Sequence, residues 1–220
     1  MDSGAAPTIR VRIWDLPTRL FHWLIVALMP ILWWTAEEEM MNRHRAAGYA
    51  MTALLVFRLL WGLFGSSTAR FANFVTGPRA VLLYLRGRAT HVLGHNPVGG
   101  LSVVAMLGLL SLETGLGLFA TDEDGIAPGP LSHWVSYEAA EEIADLHEDL
   151  FNLLLALIAV HVAAILFYLF FRRDNLVKAM IVGTHDAPAG TAPMIAAPAW
   201  RFVLAAVLAA AFTWWIAGGF

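Results

Sequence analysis

The chain has 220 residues, 59% of them hydrophobic and 14% charged, with a mean hydropathy of +0.64 and a formal net charge of −3. Soluble domains are roughly half apolar and a quarter charged, so this composition excludes an ordinary soluble protein and points to an integral membrane protein with no nucleic-acid partner. Cysteine is absent. That removes disulfides, thiolate nucleophiles, iron–sulfur clusters and covalent haem attachment, and leaves histidine as the main metal-binding side chain.

A polar leader, Met1 to Arg12, opens the chain without the pattern of a cleavable signal. Five apolar stretches follow, at Trp14–Ala36, His44–Gly65, Pro97–Ala120, His147–Phe171 and Pro198–Phe220. Each reaches the roughly 20 residues that a helix needs to cross about 30 Å of hydrocarbon. Tryptophans gather near the ends of these runs, as in an interfacial aromatic belt. The fifth stretch is short and alanine-rich, and its Ala205 and Ala209 suit close helix packing or self-association into a homo-oligomer.

The connecting segments differ sharply in charge. The leader and the start of span one hold Arg10, Arg12 and Arg19, the 66–96 segment holds Arg70, Arg79, Arg86 and Arg88, and Arg172, Arg173 and Lys178 follow span four. The 121–146 segment holds Asp122, Glu123, Asp124, Glu138, Glu141, Glu142 and Asp145 with no Lys or Arg. Counting Lys and Arg in short loops places the arginine-rich segments in the cytoplasm and the acidic segment outside. The N-terminus is then cytoplasmic.

Histidine depth follows from that orientation. His147 and His161 are fourteen residues apart in span four, almost four helical turns, so they share one face about 21 Å apart along the axis. His44 opens span two at the level of His147, and His22 lies in the cytoplasmic half of span one at the level of His161. An imidazole within hydrocarbon needs a partner. Bis-histidine ligation of haem b supplies one, so the depth count predicts two haems, on His44/His147 and His22/His161.

The other polar residues carry two readings each. Gly48, one turn after His44, leaves room for a porphyrin face or serves plain helix packing; Gly108, Gly115 and Gly117 raise the same choice in span three. Arg58, on the His44 face at the depth of the cytoplasmic-side haem, suits a haem propionate or a helix partner, against snorkelling toward water. Glu113 suits either a proton-handling role in quinone chemistry or a hydrogen-bonded structural one. His91, His95, His133 and His185 lie in connecting segments and read as solvated. Met29, Met51 and Met106 read as core filler rather than axial ligands.

Four motifs carry a family resemblance: WDLPTRLFHW at span one, RHRAAG at span two, GHNPVGGLSV at span three, and LHEDLFN with LIAVHVAAILFYLFFRRDNLVKAMIVG at span four. Over Ile13 to Gly183 the chain resembles the bacterial cytochrome b-561 family, di-haem membrane cytochromes related to the cytochrome b subunits of nickel–iron hydrogenases. The resemblance places the family's haem ligands on His22, His44, His147 and His161. It implies electron transfer between a membrane quinone, such as ubiquinone, and a redox partner at the periplasmic face. The acidic 121–146 loop would steer a cationic partner such as a c-type cytochrome, or is acidic only through topology.

The expected architecture is an all-α integral membrane protein, a four-helix bundle binding two haems over residues 1–183. A cytoplasmic linker and an additional C-terminal transmembrane helix follow over 184–220. Two rival functions are a superoxide:quinone oxidoreductase, for which Arg43 and Arg45 are the nearest basic residues to the periplasmic-side haem, and the cytochrome b anchor subunit of a hydrogenase or dehydrogenase complex.

Overall fold

The computed structural model describes residues 8–88, 94–122 and 125–218. Five of its helices are long and apolar enough to cross a membrane: α1 (Leu16–Glu37), α2 (Met41–Phe64), α5 (Pro97–Gly117), α6 (Tyr137–Phe170) and α8 (Ala199–Ala217). Shorter elements join them, namely α3 (Phe71–Phe74), α4 (Pro78–Leu85) and α7 (Leu176–Val182). The protein is an all-α integral membrane protein.

Local sequence sets the helix starts. The Asp15 carboxylate accepts the Thr18 amide at 2.8 Å and caps α1, with Pro17 in the first turn. Asn96 caps α5 by accepting the Gly99 amide at 2.8 Å, directly before Pro97. Ser136 caps α6 by accepting the Ala139 amide.

That last cap corrects an expectation. Residues 137–146 read from their charge as part of a loop, yet they form the first turns of α6. A helix N-terminus carries partial positive charge and unsatisfied amides, so Ser136 and the acidic Glu138 favour helix there. The acids at 138, 141, 142 and 145 therefore ride on a helix that projects ahead of the apolar part of the span.

Helix α2 is the hub and packs against α1, α5 and α8, while α5 packs on α6. The apolar centre of the bundle holds Phe21, Met51, Leu55, Leu107, Leu110 and Leu154. Met51 thus serves as core. The fifth span does not stand apart. Ala205 and Ala209 are 0% and 3% exposed, against Phe57, Trp61 and Ala69. Phe202 meets the rings of Phe57 and Trp61 edge-on at 5.6 and 6.3 Å. In lipid, where apolar surface alone gives no drive to associate, such small-residue contacts let two helices approach closely. The small face of α8 is spent on α2.

One element is absent from the sequence reading. Strand β1 (Thr8–Arg12) pairs antiparallel with β2 (Thr184–Pro188), Val11 opposite His185. Gly183 closes α7 at φ 81°, and its carbonyl accepts the Ile13 and Trp14 amides at 2.9 and 3.1 Å. A Cβ at Gly183 would lie 2.7 Å from the Trp14 carbonyl, so both the backbone angle and the space demand glycine. The linker after β2 adds to the same cap: the Met194 amide donates to the Arg12 carbonyl and the Ser67 amide to the Ile195 carbonyl. The arginine-rich segments thereby gather into a packed end-cap at one end of the bundle, opposite the acidic end.

Candidate functional site

At the acidic end, His44 of α2 and His147 of α6 face each other with ring centres 6.3 Å apart and planes at 90°. Each Nδ1 is held by a main-chain oxygen. His44 Nδ1 donates to Leu32 O at 3.0 Å and His147 Nδ1 donates to Glu113 O at 2.9 Å. That fixes the tautomer and leaves both Nε2 atoms free as ligands. Two imidazoles on opposite sides of one metal, each bonded at about 2 Å, have ring centres about 6 Å apart. The observed pair fits that spacing. Beside it, a Cβ at Gly117 would come 3.1 Å from the His147 ring, whereas a Cβ at Gly48 or Gly115 would meet nothing within 4 Å. Glycine thus lets α5 press on the His147 ring and leaves open the flank of α2 one turn from His44.

At the arginine-rich end, His22 of α1 and His161 of α6 lie within electrostatic reach of each other. His22 Nδ1 is shielded from solvent and has no hydrogen-bond partner. An imidazole within hydrocarbon needs a partner, and a metal on the other ring nitrogen supplies one, so this pair also fits a metal-bound group. Leu154, 2% exposed and midway between His147 and His161 along α6, belongs to the apolar layer separating the two pairs.

Arg58 is buried, 3% exposed, which corrects the snorkelling alternative. It donates to Ala69 O at 3.3 Å and lies 5.0 Å from the centre of the Phe71 ring. Buried Asp15 provides countercharge within its electrostatic reach. The other Asp15 oxygen accepts the Trp61 indole N–H at 2.9 Å. The WDLPTRLFHW motif therefore supplies a ligand candidate, a helix cap and the anchor of a buried polar cluster.

His95 is the residue that the sequence reading misplaced. It is not solvated: its ring lies 4.7 Å from Trp14 and 4.6 Å from Phe74, centre to centre, and Nδ1 is shielded and unpartnered. Burial, helped by the charge of Arg58 and by His161, lowers its pKa to about 4, so the ring is neutral. Its position just before the Asn96–Pro97 start of α5 was the available signal, because the first residue outside a capped helix packs on the bundle end. His185 is not free either; its Nε2 lies 2.7 Å from Asp174 Oδ1. His133 is exposed beside Trp134, and His91 lies outside the described residues. Tyr84 and Tyr168 share a 2.6 Å hydrogen bond, joined by Asn96, and tie α4, α5 and α6 together at this end.

No curated protein and no solved structure matches the chain. Residues 13–183 match the family described as prokaryotic cytochrome b561, over four of the five long helices and both histidine pairs. Haem b binding and membrane electron transfer go with that membership, in a multi-pass bacterial membrane protein. With most of its length matched, the chain belongs to the prokaryotic cytochrome b561 family.

Proposed function

We propose that the chain binds two b-type haems and carries electrons across the bacterial inner membrane. The path would run between a membrane quinone, ubiquinone or another, and a periplasmic redox partner. The observation that carries this reading is the pair of histidine sites at opposite ends of the bundle, separated by an apolar layer. His44 and His147 would hold one haem, His22 and His161 the other. When bound, haem b supplies one-electron redox chemistry at its iron.

The residues around each pair have distinct work. Leu32 and Glu113 hold the His44 and His147 rings in one tautomer. Gly48 leaves room for a porphyrin face. Arg58, a buried cation within electrostatic reach of His95, suits a haem propionate. The apolar Leu154 layer keeps water and ions out of the interval between the two sites.

The acidic turns at the start of α6 carry Glu138, Glu141, Glu142 and Asp145 on one projecting element, and the charge bias supports reading that end as the periplasmic surface. That surface suits steering of a cationic c-type cytochrome. The two basic residues of a superoxide route are engaged elsewhere, Arg45 donating to Pro128 O and Asn42 Oδ1 and Arg43 to Met40 Sδ, which argues for the cytochrome partner.

Purified protein in vesicles, supplied with ubiquinol and a cationic c-type cytochrome, tests the reading. Quinol should reduce the haems, the cytochrome should exchange electrons with them, and the second rate should fall steeply with salt. Absence of quinol-driven reduction at any pH would remove the quinone from the scheme.

A further inference from the structure

The two histidine pairs are built alike from two helices but are not electrostatically alike, and Glu113 is the main source of the difference. His147 Nδ1 faces two oxygens of this one residue, the main-chain carbonyl at 2.9 Å and carboxyl Oε1 at 3.2 Å. Glu113 is only 6% exposed, and its other oxygen, Oε2, is shielded and has no partner. The carboxyl group is therefore aimed at the imidazole and satisfied by nothing else. Gly117, one turn further along α5, lets the ring sit close enough for this contact. Across the site, His44 meets only neutral oxygens, Leu32 O at 3.0 Å and Thr35 Oγ1 at 3.5 Å. At the far pair, His22 Nδ1 has no acceptor at all.

A carboxyl oxygen drawing on the Nδ1 proton makes the opposite nitrogen more basic and a stronger donor to iron. Stronger donation to the iron favours the oxidised metal, and only the His147 side has a carboxyl oxygen on its Nδ1. Resting on the bis-histidine reading above, we infer that Glu113 is a positioning residue that fixes the His147 ring and lowers the potential of the haem at the acidic end. The haem at the arginine-rich end is then the higher-potential member. An electron entering at the acidic end would come to rest at the arginine-rich end, which gives the path an intrinsic direction.

Potentiometric titration of the purified haem-loaded protein tests this with Glu113→Leu and Glu113→Gln. The wild type should titrate in two waves. Glu113→Leu should raise only the lower wave, by at least tenfold in its reduction equilibrium, about 59 mV for one electron. Glu113→Gln, which keeps an oxygen acceptor without the acid, should raise the same wave by less. The low-spin paramagnetic signal of that haem alone should change. Should the leucine variant not fold, the glutamine variant decides the matter. An unmoved lower wave, equal movement of both waves, or movement of the upper wave alone overturns the inference. His147→Ala separates the two layers of the argument: if it keeps both haems, the ligand assignment falls; if it loses one while neither Glu113 variant moves a wave, the inference alone falls.

Discussion

The acidic-end and arginine-end histidine pairs are the two regions worth setting side by side. Around His44 and His147 the protein satisfies each Nδ1 from its own main chain, with Glu113 in reserve. Around His22 and His161 it leaves polar nitrogens shielded and unpaired, at His22 and at neighbouring His95, and places a buried guanidinium within electrostatic reach of His95. One site has its rings oriented before any group binds. The other leaves the second ring nitrogen of its ligand candidate without a partner. The same helix, α6, serves both, so the difference comes from what α1, α2 and α5 bring to each end.

The largest effects separate the pairs outright. His161→Ala should halve the haem per chain and spare the acidic-end haem, and His147→Ala should do the reverse; pyridine haemochrome assay of each folded variant reads this. Equal loss of both haems in either variant would break the idea of two independent sites.

Next comes His95. Its folded pKa of about 4 lies below the ordinary 6.5. The unfolded chain therefore takes up a proton that the native ring, beside Arg58 and His161, refuses. Its contribution is constant above the unfolded pKa, and stability falls as pH drops from about 6.5 to 4, by about 3 kcal/mol at most. Thermal unfolding against pH should show a shallower acid loss in His95→Phe than in the wild type. Identical slopes would mean that the ring is not buried neutral.

Asp15→Ala should cost about 2 kcal/mol or more, by removing the α1 cap and leaving the Trp61 N–H unpaired. Denaturation in mild detergent should show the loss, larger than that of Trp61→Phe. The smallest effect is at α8. Ala209→Leu should overpack the α2 contact by about 1 kcal/mol or more while haem content stays at the wild-type value. A loss of haem there would place the fifth helix inside the cofactor-bearing unit.

What could be read from the sequence followed from periodicity and charge. The fourteen-residue interval of His147 and His161, the depth of His22 and His44, and five spans of sufficient length needed only helix geometry. The charge bias grouped the arginine-rich segments together, as the end-cap has them. It misled at residues 137–146, where helix capping at Ser136 outweighs acidity as a sign of loop. The β1–β2 pair was not legible, because two five-residue segments far apart in the chain, Thr8–Arg12 and Thr184–Pro188, become strands only when the bundle brings them together. His95 was only partly legible: its place before the α5 cap was a signal, but its neighbours Trp14 and Phe74 are far away in sequence. Glu113 was visible as an intramembrane acid, but its partner required knowing that α5 faces the His147 side of α6.

The measurement that tests the central claim most directly is a reduced-minus-oxidised spectrum of purified protein with haem quantified per chain. The account predicts two low-spin b-type haems for each 220-residue chain. A single haem, or a high-spin signal from either site, would contradict the two bis-histidine pairs.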